Sequence, residues 1–169
     1  MLTEHKYRHM KAKTLIFGSV LTAWTVLIFL FSSQSGERSS DTSTELLHSI
    51  LNILTSLNII NACDYTSDRI DMLNGILRNA AHFFEYAVLG LLAAFFINKV
   101  SMLRYMETKQ KRSILFAFAY VLLVSVSDEI LQIFIPERCF QISDILTDIS
   151  GGALGIFSSI IMLKSGKHR

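Results

Sequence analysis

The fold turns on the stretch Ser127-Asp128-Glu129-Ile130-Leu131-Gln132-Ile133-Phe134-Ile135-Pro136-Glu137-Arg138, followed by Asp144, Asp148, Gly151, Gly152 and Gly155. Acids, an amide and an arginine stand here in sequence apolar enough for lipid. An ionisable group in a bilayer costs ~3 kcal/mol or more, so it faces the protein interior and marks function. The rest of the chain reads as scaffold around this stretch.

Working outward, the apolar residues fall in runs of about 20, enough to cross a hydrocarbon core. Of the 169 residues, 51% are hydrophobic. A soluble domain spreads such residues along amphipathic elements. We expect one all-α integral membrane domain over 1–169, a four-helix bundle. Its spans run over about 14–33, 78–98, 113–135 and 143–163. The basic start and apolar run of span one could be a secretory signal, but the run is long and no Ala-x-Ala site follows. Pro136 ends span three, because the residue before proline avoids the helical region. Ser143 is the expected N-cap of span four.

Between spans one and two lies the longest connection. Residues 46, 47, 50, 51, 54 and 57 are apolar at a helical period. Asn52, Ser56 and Asn58 argue against a further crossing, so an interfacial amphipathic helix over about 45–60 is expected in this first outer loop. Asn61 to Asp71 reads as a polar loop. Lys6, Arg8, Lys11 and Lys13 precede span one, Lys99, Arg104, Lys109, Lys111 and Arg112 follow span two, and Lys164, Lys167 and Arg169 follow span four. These make 12 of the 16 basic residues. The other side has Arg38, Arg69, Arg78 and Arg138, and no lysine. Loop charge sets orientation, so both termini should be cytoplasmic and the Pro136 turn outside.

This topology brings the odd residues to one depth. Arg78, His82 and Glu85 are spaced by four and three, one face of a helix. Asp128, Glu129 and Gln132 sit at the outward end of span three. Asp144 and Asp148 open span four, where the helix dipole favours acids in any case. Span three offers no such excuse, since its end disfavours negative charge. Asp128 and Glu129 therefore need partners, and Arg78, Arg138 and His82 are the cations at hand. An arginine fork would suit these carboxylates. Five acids exceed those cations, so some carry a proton or a cation shares the site. Gly151, Gly152, Ala153 and Gly155 form a small-residue surface for close helix packing. No metal motif, nucleophile motif, phosphate loop or cofactor box is present. The net charge of +2 and dispersed basic residues exclude nucleic-acid binding. Cys63 and Cys139 both fall on the outer side, where an oxidising compartment permits a disulfide.

The chain resembles the VanZ-like family of bacterial membrane proteins, named for a teicoplanin-resistance protein. The resemblance rests on Phe31-Ser32-Ser33-Gln34-Ser35, Arg78 with His82-Phe83-Phe84-Glu85-Tyr86 and Leu89, and Asp128-Glu129, Gln132, Phe134, Arg138, Asp144, Asp148, Gly151 and Gly155. Family members often carry Lys at the position of Arg78 and Asn at that of Asp148. The resemblance implies a multi-pass cell-envelope protein linked to glycopeptide resistance. The expected site comprises Arg78, His82, Glu85, Asp128, Glu129, Gln132, Arg138, Asp144 and Asp148. Its expected role is to bind or handle an envelope or lipid-linked ligand at an outward, acid-rich pocket, with the bilayer as the other partner and no cofactor. Two alternatives stay open. One is an enzyme on a lipid-linked or cell-wall substrate, with Glu85, Asp128 or Glu129 as acid/base and His82 as relay. The other is a small proton-coupled transporter, for which span one and the inner half of span two offer few polar groups.

Overall fold

The computed structural model describes residues 4–59, 66–103 and 110–165. Among the described residues, five helices follow one another: α1 Glu4–Ser32, α2 Gly36–Ser56, α3 Ser67–Leu103, α4 Gln110–Gln132 and α5 Ile142–Ser165. Four of them, α1, α3, α4 and α5, are long and apolar enough to cross a membrane. The molecule is a multi-pass helical membrane protein. Large apolar side chains such as Leu15, Leu30, Leu115, Leu123, Phe157 and Ile161 point outward. In lipid that outward surface needs no cover, so the inner packing must come from shape and hydrogen bonds.

That packing is closest between α3 and α5. A side chain at Gly155 would overlap the Ala87 carbonyl, and one at Gly151 the Phe83 carbonyl. A side chain at Gly90 would strike the backbone of Gly152. Three glycines therefore let two backbones touch. Around this seam sit buried Tyr86, Leu89 and Ala93 of α3, Ala117, Val121 and Val124 of α4, Leu21 and Ile28 of α1, and Ile156 of α5.

Several helix limits differ from those read in the sequence. The second span begins at Ser67, not near Arg78, so residues 67–71 of the expected polar loop are helical. Ile70, Leu73 and Leu77 recur at helical spacing on a half-buried stripe, and α2 covers them. Asn74 of α3, itself buried, donates to Ser40 at 3.3 Å and Thr44 at 2.9 Å. Asp68, Arg69 and Asp71 make this segment read as a loop, but polarity alone does not exclude a helix.

The amphipathic helix begins at Gly36 instead of near residue 45. Its N-cap is Ser35, whose hydroxyl accepts from the Arg38 amide at 3.3 Å. It ends at Ser56, and Asn58 follows in the left-handed region at φ 55°. Asparagine tolerates that conformation better than most residues. Leu46, Ile50 and Ile53 of α2, with Leu57 at its C-cap, stay exposed along one face and form the apolar stripe of an amphipathic helix.

α4 stops at Gln132, three residues before the expected end. The amides of Ile133, Phe134 and Ile135 each bond three residues back, a tightening that precedes Pro136. Ser143 lies inside the first turn of α5 and donates to Asp144 at 3.1 Å, so it is not the N-cap. Cys139 is exposed and free, and its expected partner Cys63 lies outside the described residues.

Candidate functional site

Where the C-terminal ends of α1 and α4 meet the middle of α3 and the start of α5, an unusual set of polar side chains is buried. Asp128 is 0% exposed, Glu129 1%, Gln132 3% and Asp148 1%. Each carboxylate is met by a neutral donor. Ser32 of α1 donates to Asp128 Oδ2 at 2.7 Å, and Ser125 of α4 to Asp148 Oδ2 at 2.8 Å. The Gln141 amide donates to Glu129 Oε2 at 2.9 Å, tying the turn after Pro136 back onto α4.

The other half of this polar set is unsatisfied. Among the described residues, buried side-chain atoms without a hydrogen-bond partner are His82 Nδ1, Tyr86 Oη, Asp128 Oδ1, Glu129 Oε1, Gln132 Nε2, Arg138 Nε, Asp148 Oδ1 and Asn74 Oδ1. All but Asn74 belong to one cluster. His82 Nδ1 faces Asp148 Oδ1 at 3.9 Å, too far for a hydrogen bond but close enough to orient the ring. An unpaired buried polar group costs ~1–3 kcal/mol, so such groups concentrate where a protein binds something.

Beside the cluster lies a cavity of about 350 Å³ between α1, α2, α3 and the Pro136 turn. Arg78, His82, Glu85 and Arg138 line it. Ser39, Thr42, Ser43 and Leu46 of α2 form the opposite wall, and Phe31 and Phe84 its apolar rim. The nine expected site residues thus divide into two layers. Arg78, His82, Glu85 and Arg138 face the cavity, whereas Asp128, Glu129, Gln132 and Asp148 are buried apart from its lining. Asp144 is half-buried at the start of α5, within electrostatic reach of Arg138.

The arginine forks that would suit these carboxylates are not closed on them. Among the described residues, neither Arg78 nor Arg138 has a carboxylate within 4.0 Å, whereas His82 faces Asp148. The acids have taken hydroxyl and amide partners instead. Arg138 carries a lowered pKa, first from burial and then from the nearby positive charge of Arg78. Its other neighbours, Asp128, Glu129 and Asp144, act in the opposite direction. No group of three or more His, Cys, Asp or Glu among the described residues is arranged to hold a metal ion.

The Pro136 turn is fixed from both sides. Glu137 takes φ 61°, its carboxylate accepts from the Glu37 amide at 2.8 Å, and the Gly36 amide donates to the Pro136 carbonyl at 3.2 Å. An acid at a helix N-terminus is favoured by the dipole. The turn that carries Arg138 is therefore clamped to the helix that forms the opposite wall. A Cβ at Gly36 would lie 2.7 Å from the Glu137 carbonyl oxygen, so this approach needs glycine.

Sequence reasoning did not find Ser125, the α2 wall or the Glu137 clamp. Ser125 lies one turn before Asp128 in an apolar run, where a serine more often bonds its own helix. The α2 wall could have been suspected from the hydroxyl face Ser39, Thr42 and Ser43.

The chain matches the family model described as VanZ/LLP1 over residues 17–163. It belongs to the VanZ/LLP1 family. No curated protein and no solved structure shows significant similarity to it. The VanZ/LLP1 match runs from the first span to the last and so includes all nine candidate site residues.

Proposed function

We propose that this VanZ/LLP1 protein binds an envelope ligand in the cavity between α2, α3 and the Pro136 turn, and that this binding contributes to glycopeptide resistance. The observation that carries this reading is the cluster of buried, unpartnered polar atoms beside a cavity of about 350 Å³. A cluster serving stability alone would have closed on itself, since half-satisfied polar networks are worse than an apolar core. Glycopeptide susceptibility should rise when Glu129→Gln or Arg138→Ala replaces the parent protein at equal expression. Arg112→Ala, at the opposite end of α4, should leave it unchanged. Parental susceptibility in both site variants would dispose of this function.

The basic residues at the opposite ends of the spans support an outward-facing cavity. A cysteine placed at Lys111 should react only with reagents admitted to the cytoplasm, and one at Asp68 from outside. The reverse pattern would invert the protein and the role of its pocket.

One observation favours a second reading. His82 lines the cavity with its Nδ1 turned towards Asp148, and Glu85 lies on the same wall. A carboxylate-oriented imidazole beside a second carboxyl group is equipment for acid/base chemistry. In that case Glu85→Gln would abolish turnover of a lipid-linked substrate and leave its binding intact.

A further inference from the structure

The charges that line the cavity differ from those buried behind it. Asp128, Glu129 and Asp148 spend their hydrogen bonds on Ser32, the Gln141 amide and Ser125. Arg78 and Arg138 both open onto the cavity with no carboxylate of the described residues within 4.0 Å, and Glu85 is the one acid among the described lining residues. The two guanidinium groups come from different elements, α3 and the Pro136 turn. They are close enough for Arg78 to lower the pKa of Arg138. Two half-buried cations that face one cavity from different elements, with the nearest buried acids each already bonded to a neutral donor a layer behind, are arranged for an anion from outside the chain.

Phosphate fits this arrangement better than carboxylate. It presents enough oxygens for two planar forks at once, and arginine binds it bidentately. The wall opposite the arginines carries Ser39, Thr42 and Ser43, a polar surface suited to a headgroup. The rim is apolar, and Phe31 and Phe84 are 53% and 64% exposed on the surface of the spans. A free ion has no use for that rim, whereas an amphiphile has. We propose that the cavity holds the phosphate headgroup of a lipid between Arg78 and Arg138, with its chain lying over Phe31 and Phe84. This inference rests on the cavity being a ligand site and names what the ligand is.

Native mass spectrometry of the full-length protein in a neutral detergent tests it, with phosphatidic acid, phosphatidylcholine and inorganic phosphate as probes. Phosphatidic acid should be retained in preference to phosphatidylcholine. Retention should fall about tenfold in Arg78→Gln and in Arg138→Gln, the order expected for losing a charge-assisted hydrogen bond, and stay unchanged in Arg112→Gln. Arg138→Lys, which keeps the charge and loses the fork, should fall in between and guards against a misfolded glutamine variant. Retention of both lipids alike, lost in Glu85→Gln but not in the arginine variants, would overturn the phosphate assignment and leave a ligand pocket standing. Inorganic phosphate displacing phosphatidic acid at equal concentration would overturn the lipid. No retention of any probe, with the arginine variants indistinguishable from the parent in the resistance assay, would overturn both readings.

Discussion

Gly155→Ala is expected to destabilise the protein by ~3 kcal/mol or more, seen as a large fall in unfolding temperature in detergent. The added methyl group would overlap the Ala87 carbonyl, and backbone cannot step aside as a flexible side chain can. Overpacking of a closed core costs ~1–3 kcal/mol, more where backbone must move. Helix propensity argues the other way, because alanine is favoured over glycine by ~1 kcal/mol within a helix. The sign of the change therefore separates packing from propensity. Gly75, also in α3, has open space for 4 Å around the place a Cβ would take, so Gly75→Ala should raise stability by ~0.5–1 kcal/mol. If Gly155→Ala unfolds at or above the parent temperature, the α3–α5 seam is not as tight as described. The effect extends to the site: pushing α5 from α3 moves Asp148 away from His82, which now lie 3.9 Å apart. A loss of ligand binding should accompany the loss of stability.

The seam and the spans were legible in the sequence for a simple reason. Long apolar runs and a Gly151–Gly155 pair are one-dimensional signals, and the bilayer removes most alternative folds. The residues of the polar cluster were legible too, because a charge in an apolar run is costly enough to be conspicuous. Partners were not. From charge alone, the sequence offered Arg78, Arg138 and His82 as the cations nearest Asp128 and Glu129. The structure gives these acids Ser32 and the Gln141 amide, which reach them through the packing of α1 on α4 and the geometry of the Pro136 turn. Neither contact leaves a trace in spacing. The upper part of α3 was lost for a related reason. Asp68, Arg69 and Asp71 look like a loop until α2 is present to cover Ile70, Leu73 and Leu77.

Asp128→Ala is expected to cost ~3 kcal/mol and to abolish ligand binding. Asp128 is fully buried, and its Oδ2 accepts from Ser32 at 2.7 Å, the contact that joins the end of α1 to α4. Alanine would leave the Ser32 hydroxyl buried without an acceptor and open a void beside it. An orphaned buried donor costs ~1–3 kcal/mol, and deleted side-chain volume adds to it. Ser32→Ala removes the donor and should cost less, because Asp128 can turn towards its other polar neighbours. The two changes should not add. A double-mutant cycle should return a coupling of ~1–2 kcal/mol, as expected for residues in direct hydrogen-bonded contact. Asp128→Asn keeps the shape and an acceptor oxygen for Ser32, so it should preserve most of the stability. Whether it preserves binding then reports on the carboxyl group itself. Asp128 lies within electrostatic reach of Arg138, which lines the cavity. Loss of lipid retention in a stably folded Asp128→Asn protein would show that the buried layer positions the arginine. An additive cycle, or an Asp128→Ala protein as stable as the parent, would show that the Ser32–Asp128 contact does not hold α1 in place.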